Sequence, residues 1–159
     1  MMSEMCEQAV SVQLLSSGQL QLGSRSTGTL GMLGGHGKLI KLTMSESDEV
    51  LGGAVRYCLN NRNLGYRQYQ MHTEKEAFQA TLAEHHKDRG EASDKKFYKG
   101  TKLAGFWVHS DHILVTSSNN TTAGHGAQLK DPAPIQLPLN ASNLALASAL
   151  RLALERSLA

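Results

Sequence analysis

The chain has 159 residues, 40% of them hydrophobic and 19% charged, with a formal net charge of +2. That length suits one domain with its own core, and the composition is that of a soluble globular protein, not a disordered one. The mild basic balance and the eight aromatic residues argue against a charge-driven nucleic-acid binder or a single-strand stacking platform, and no apolar run approaches the ~20 residues of a membrane-spanning helix.

In chain order, Met1–Glu7 has no basic stretch followed by an apolar one, so no secretory signal peptide is expected, and residues 1–9 are expected to fray. Cys6 and Cys58 make no disulfide framework, which makes a reduced, cytoplasmic protein the default. Val10, Val12 and Leu14 alternate, Ser16-Ser17-Gly18 turns, and Leu20 and Leu22 alternate again: a β-hairpin. Residues 23–37 read as loop or a short edge strand, and Leu39–Leu42 as a further strand. A helix opens at Ser45–Glu49, where a hydroxyl can cap an orphan N–H and Asp48 and Glu49 meet the positive end of the dipole. Val50, Leu51, Ala54, Val55, Cys58 and Leu59 give it one apolar stripe, and the Asn-rich run 60–63 with Gly65 ends it.

Thr73 and Glu76 are spaced as a capping box for a second helix, with Ala77, Phe78, Thr81 and Leu82 on one side, running out near Gly90. Residues 86–102 read as a loop or charged strand edge. Phe106 and Val108, then Ile113 and Val115, flank His109–His112 as a second hairpin. After a polar stretch from Thr116 to Gly126, Ile135 and Leu137 form a short strand beside prolines. Ser142 caps a last helix whose stripe is Leu146, Ala149, Leu150, Ala153 and Leu154.

The halves echo each other. An offset of 95 pairs Ile40 with Ile135, Leu42 with Leu137, Ser47 with Ser142, Leu51 with Leu146, Arg56 with Arg151 and Leu59 with Leu154, and Gly35-His36-Gly37 recurs as Gly124-His125-Gly126. Any two strand–cap–helix units share such a pattern; a duplicated β-hairpin–strand–helix unit packed about a pseudo-twofold would also produce it. Both readings predict an α+β fold, a mostly antiparallel sheet with about three helices, in a single domain over 1–159.

No motif defines a catalytic, metal or cofactor site. Gly35-His36-Gly37-Lys38 lacks the earlier glycine of a phosphate loop (Met32 stands there) and the hydroxyl after the lysine (Leu39). His109 and His112 have metal-ligand spacing but no matching second pair, so solvated turn histidines are expected. Cys58 sits on an apolar stripe as a buried, inert thiol. Lys87, Arg89, Lys95, Lys96, Lys99 and Lys102, with Phe97 and Tyr98 between them, are interrupted by Asp88, Glu91 and Asp94, and read as a solvated face.

Three segments nevertheless resemble a known family. Leu39-Ile40-Lys41-Leu42, followed by Ser47-Asp48-Glu49-Val50-Leu51-Gly52-Gly53-Ala54-Val55-Arg56 and Leu59, is similar to the central motif of CdiI-type immunity proteins of bacterial contact-dependent growth inhibition. In that family a strand leads into a Ser-Asp-x-x-Leu-Gly-x-Ala-Val helix that ends near Ser-Arg. Ile135–Ser142 followed by Ala149–Leu154 resembles the family's last strand and helix, and Gly31–Gly37 fits its glycine-rich approach. The chain departs from the pattern at Asn60-Asn61-Arg62 and at Ala147, and the match is loose from 62 to 104. The resemblance implies a cytoplasmic, non-catalytic protein that binds the C-terminal toxin domain of a CdiA effector and blocks it by occlusion. No cofactor, membrane or direct nucleic-acid contact is implied. Were the toxin a basic nuclease, the acidic cluster Glu46, Asp48 and Glu49 is the expected contact, with Glu74 and Glu76 as a second cluster; acids at helix starts also stabilise the helix by themselves. The rival readings are a small enzyme built from scattered His and Asp residues, and a nucleic-acid-binding module using 87–102.

Overall fold

A computed structural model describes residues 7–25, 35–61, 73–120 and 127–159, with the backbone alone at 7, 8, 25, 35–38 and 78. The first alternating run forms β1 (Glu7–Leu14) and β2 (Gln19–Arg25). Between them the Gly18 N–H bonds the Leu15 carbonyl at 2.9 Å, and Gly18 takes φ +94°, a left-handed conformation that a side chain disfavours. β3 (Gly35–Thr43) follows, then α1 (Asp48–Asn60), α2 (Lys75–Arg89), the short α3 (Asp94–Tyr98), β4 (Lys102–Val108), β5 (His112–Ser117), β6 (Ile135–Pro138) and α4 (Asn143–Arg156).

The six strands form one sheet in the order β3-β2-β1-β4-β5-β6, antiparallel at every pairing. Each half of the described chain is thus three strands followed by a helix, and the two triplets meet at β1 and β4. Period-two alternation decides the faces. Val12 stands opposite Leu22 and Ala104, and Phe106 opposite Val10 and Val115. These residues are buried beneath α1, which packs on β1 and β2, and α4, which packs on β4 and β5. Leu51, Val55, Leu59, Leu146, Leu150 and Leu154 are each no more than 1% exposed, so both helical stripes are core. Val50 is the exception on the first stripe, at 43% exposed.

The offset of 95 reappears in polar contacts. The Arg151 guanidinium donates to the Glu46 carbonyl at 2.7 Å, and Arg56 donates to the Ala141 carbonyl, so each helix holds the segment that leads into the other. The carbonyls of Cys58 and Ala153, also 95 apart, accept from Ser24 Oγ at 3.0 Å and from Ser117 Oγ, 93 positions further on, at 2.6 Å. Ser47 and Ser142 cap their helices in the same way, accepting from the N–H groups of Val50 and Ala145.

Several local expectations shift. The second strand runs through Arg25 and the third begins at Gly35, so part of 23–37 is strand; 26–34, with most of the glycine-rich approach, lies outside the described residues, as do Gly65 and the repeat Gly124-His125-Gly126. The second helix starts at Lys75, and its cap position falls on Glu74, whose side chain makes no capping bond, so the box expected from Thr73 is one residue out of register. Its one buried residue is Arg89, while Thr81 is exposed and Ala77 and Leu82 are half-buried, among side chains the structure describes. The stretch 86–102 is neither loop nor strand edge through most of its length: it ends α2, forms α3 under a Ser93 cap and starts β4 at Lys102. At the outer edge, Asp88 Oδ2 accepts the N–H of Leu39 at 2.7 Å, which ties α2 to β3.

Candidate functional site

Three surfaces contain the polar groups singled out above. The first is the junction of α1 and α4. Gly52 brings the helices together: a Cβ built there would lie 1.9 Å from the Asn143 carbonyl oxygen. At this junction Asp48 Oδ1 accepts from Arg151 Nε at 3.0 Å, and Glu49 Oε1 accepts from Asn143 Nδ2 at 2.9 Å. Arg151 also donates to the carbonyls of Met44 at 2.8 Å and Glu46 at 2.7 Å. The three acids are therefore gathered at one helix start, and two of their carboxylates have partners on α4. A single sequence run cannot reveal those partners, because Arg151 lies 103 residues from Asp48; the Arg56–Arg151 pairing in the internal echo is the signal that points to them. Glu74 and Glu76 stand at the start of α2 instead.

The second surface is the tip of the β4–β5 hairpin. His109 and His112 stack with ring centroids 4.5 Å apart and planes 11° from parallel, and both residues are half-buried, so they are not freely solvated turn residues. His112 Nδ1 contacts Asp111 Oδ1 at 2.5 Å, and this hydrogen bond holds the Asp111 carboxyl below its ordinary range. Among the described residues no group of three or more His, Cys, Asp and Glu is placed to hold a metal ion. Cys58 is 2% exposed, and burial pushes its thiol up, against a smaller opposite effect of Ser24, which disfavours the reactive thiolate.

The third is the sheet face turned away from α1 and α4, together with the basic run beside it. Arg89 within that run is not solvated. Its side chain is 4% exposed, bonds Asp94 at 2.6 Å and the Glu91 carbonyl at 2.7 Å, and lies 4.5 Å from the centroid of the Phe97 ring. Arg89 and Phe97 thus dock α3 onto the end of α2, and the lysines are left to the surface. Gln21, also on this side of the sheet, donates to the Arg89 carbonyl at 2.9 Å. Trp107, the one tryptophan of the chain, is half-buried and donates to Thr116 Oγ1 at 3.2 Å. The alternation that buries Phe106 turns Trp107 to the opposite face, a consequence that the sequence reading passes over in favour of the core residues.

Comparisons with known proteins place this fold. No curated protein matches the chain. A protein of unknown function from Neisseria meningitidis has the same fold, with TM-score 0.68 and 17% identity over 99% of this chain and 98% of that one. So does a chain of the CdiA-CT/CdiI toxin and immunity complex from Yersinia pseudotuberculosis, with TM-score 0.68 and 17% identity over 98% of both chains. The family model CdiI, CDI immunity protein, matches residues 8–157, which takes in all six strands and all four helices but for the first residue of β1. The chain belongs to the CDI immunity protein family.

Proposed function

We propose that this protein binds the C-terminal toxin domain of a CdiA effector in the cytoplasm and neutralises it by occlusion, with no turnover of its own. The observation that carries this reading is the family match over 8–157, which spans the whole described sheet and both core helices apart from Glu7. A rigid helix-on-sheet body that offers shaped and charged surfaces suits an inhibitor that works by covering its target. The likeness to a chain of a toxin and immunity complex supports the same reading.

For a toxin that is a basic nuclease, the contact we assign is the acidic start of α1, Glu46, Asp48 and Glu49. Asp48 holds Arg151 in an ion pair, whereas Glu49 would lose only an exposed bond from Asn143 and Glu46 has no side-chain bond among the described residues, so the test reverses Glu46 and Glu49. Glu46→Lys with Glu49→Lys should slow association with the toxin, more at low than at high ionic strength, with the fold intact. An unchanged rate removes this face. The immunity reading itself is tested by co-expression of the chain with its cognate CdiA C-terminal toxin domain. Survival of the cells and co-purification of the two chains support it; growth arrest in the presence of folded chain contradicts it.

A further inference from the structure

The offset of 95 that relates α1 to α4 also shows where the two halves differ. Arg151 uses every nitrogen of its guanidinium: Nη2 donates to the Glu46 carbonyl at 2.7 Å, Nη1 to the Met44 carbonyl at 2.8 Å and Nε to the Asp48 carboxylate at 3.0 Å. Arg56, its counterpart on α1, repeats the first of these bonds and stops there. Its Nη2 donates to the carbonyl of Ala141, which stands 95 positions after Glu46. Where Arg151 has the Asp48 carboxylate, the equivalent position holds Asn143, a neutral amide whose Nδ2 is turned to Glu49. Among the described residues, Nε and Nη1 of Arg56 donate to no protein group, and no carboxylate, Glu49 included, lies within ion-pair distance of the guanidinium. The helix starts differ in the same sense: the first turn of α1 carries Asp48 and Glu49, and that of α4 carries no acid of its own. A half-buried guanidinium, held by one carbonyl with two nitrogens open, is a preformed seat for a carboxylate. Arg151 shows, within the same molecule, that this setting takes one.

We infer that Arg56, at the start of α4, receives an Asp or Glu carboxylate of the toxin domain, an assignment that rests on the immunity reading above. The guanidinium fixes the sign of the occupant, and its planar fork matches the paired oxygens of a carboxylate. The seat is continuous with the acidic start of α1, because Glu49 bonds Asn143 beside it. This face thus offers acids at one helix start and an open cation at the other, a pattern that fixes the orientation of a partner. A phosphate group uses the same fork, so the test includes one.

The probe is the cognate CdiA C-terminal toxin domain, added unlabelled to this chain carrying arginine labelled with heavy nitrogen. The Arg56 Nε–H resonance, assigned by its loss in Arg56→Lys, should shift on addition of one equivalent. The Arg151 Nε–H resonance, whose donor already bonds Asp48, should stay in place. Arg56→Gln should weaken the complex about tenfold or more. A second variant, Asn143→Asp, places the missing carboxylate within the chain at a helix start that favours it; it should occupy Arg56 and weaken the complex to a similar degree, with circular dichroism unchanged. A complex that forms with the Arg56 resonance unmoved, or that keeps full affinity in folded Asn143→Asp, overturns the assignment and leaves the immunity reading standing. Failure of the folded wild-type chain to bind the toxin domain overturns both. A resonance shift produced by acetate, inorganic phosphate or an RNA duplex at matched ionic strength, and not by the toxin domain, overturns the protein occupant.

Discussion

One hydrogen atom at position 52 sets how closely the two core helices approach. A methyl group there would overlap the backbone of Asn143, with its carbon 1.9 Å from the carbonyl oxygen, and backbone cannot move aside as a side-chain tip can. Gly52→Ala should destabilise the protein by about 1–3 kcal/mol or more in urea denaturation. Gly53→Ala is the control: its Cβ would have Asn143 Nδ2 at 3.9 Å as its nearest neighbour, and a helix-interior alanine gains roughly 0.5–1 kcal/mol over glycine. Equal stability of the two variants would contradict the close packing. Leu51 and Leu150 are fully buried, so Leu→Ala at either should cost about 2–5 kcal/mol by the same measurement. At the hairpin tip the prediction concerns pH. The hydrogen bond from His112 depresses the Asp111 carboxyl, so the interaction is present above the ordinary aspartate range and is lost as pH falls through the folded value. Carbon-detected NMR titration should find Asp111 ionising below a usual aspartate, and His112→Ala should bring it back up. Asp111 is fully exposed, so the effect stays local.

At the scale of elements, α1 and α4 are joined by apolar stripes and by two reciprocal arginines. Arg151 makes three bonds, to Asp48 and to the carbonyls of Met44 and Glu46, through a fork that lysine's single ammonium cannot reproduce. Its side chain and that of Asp48 are 35% and 43% exposed, so solvent screening reduces the worth of the ion pair. Arg151→Met should cost about 1–3 kcal/mol, most of it from the two carbonyls left without their donor, and Arg151→Lys should not rescue it. A midpoint of denaturation unchanged in both variants would remove the clamp from the account. The contrast between these helices and α2 shows what a sequence makes legible. Periodic burial writes itself into residue type, so Leu51, Val55, Leu59, Leu146, Leu150 and Leu154 were readable as core without coordinates. The family motif lies on those same elements and was readable with them. α2 is held by polar, aperiodic contacts, Asp88 to the Leu39 N–H and Arg89 to Gln21 and Asp94, and such contacts carry no spacing rule. α3 was hidden because a five-residue helix inside a lysine run has too few residues for a period; Ser93 beside Asp94, and Phe97 among charges, were its only marks. The partners of Glu49 and Asp48 were hidden because they lie 94 and 103 residues away in the chain.

For the whole molecule, the sheet order decides which surfaces are free to act. The helix layer covers one face, α2 covers the outer edge at β3, and a cleft lined by Ser11, Gly105 and Trp107 lies on the other face. A net charge of +2 gives little long-range steering, so the contact proposed at the acidic start of α1 would have to act as a local patch. Occlusion and enzymatic inactivation differ in stoichiometry, and that difference tests the central claim most directly. The measurement is the residual activity of a fixed amount of purified toxin domain as this chain is added in fractions of an equivalent. Occlusion predicts a linear fall that reaches its floor at one equivalent, with activity recovered when the complex is denatured and the toxin domain refolded alone. Continued loss of activity at a small fraction of an equivalent, or full toxin activity beside an excess of folded chain, would contradict it.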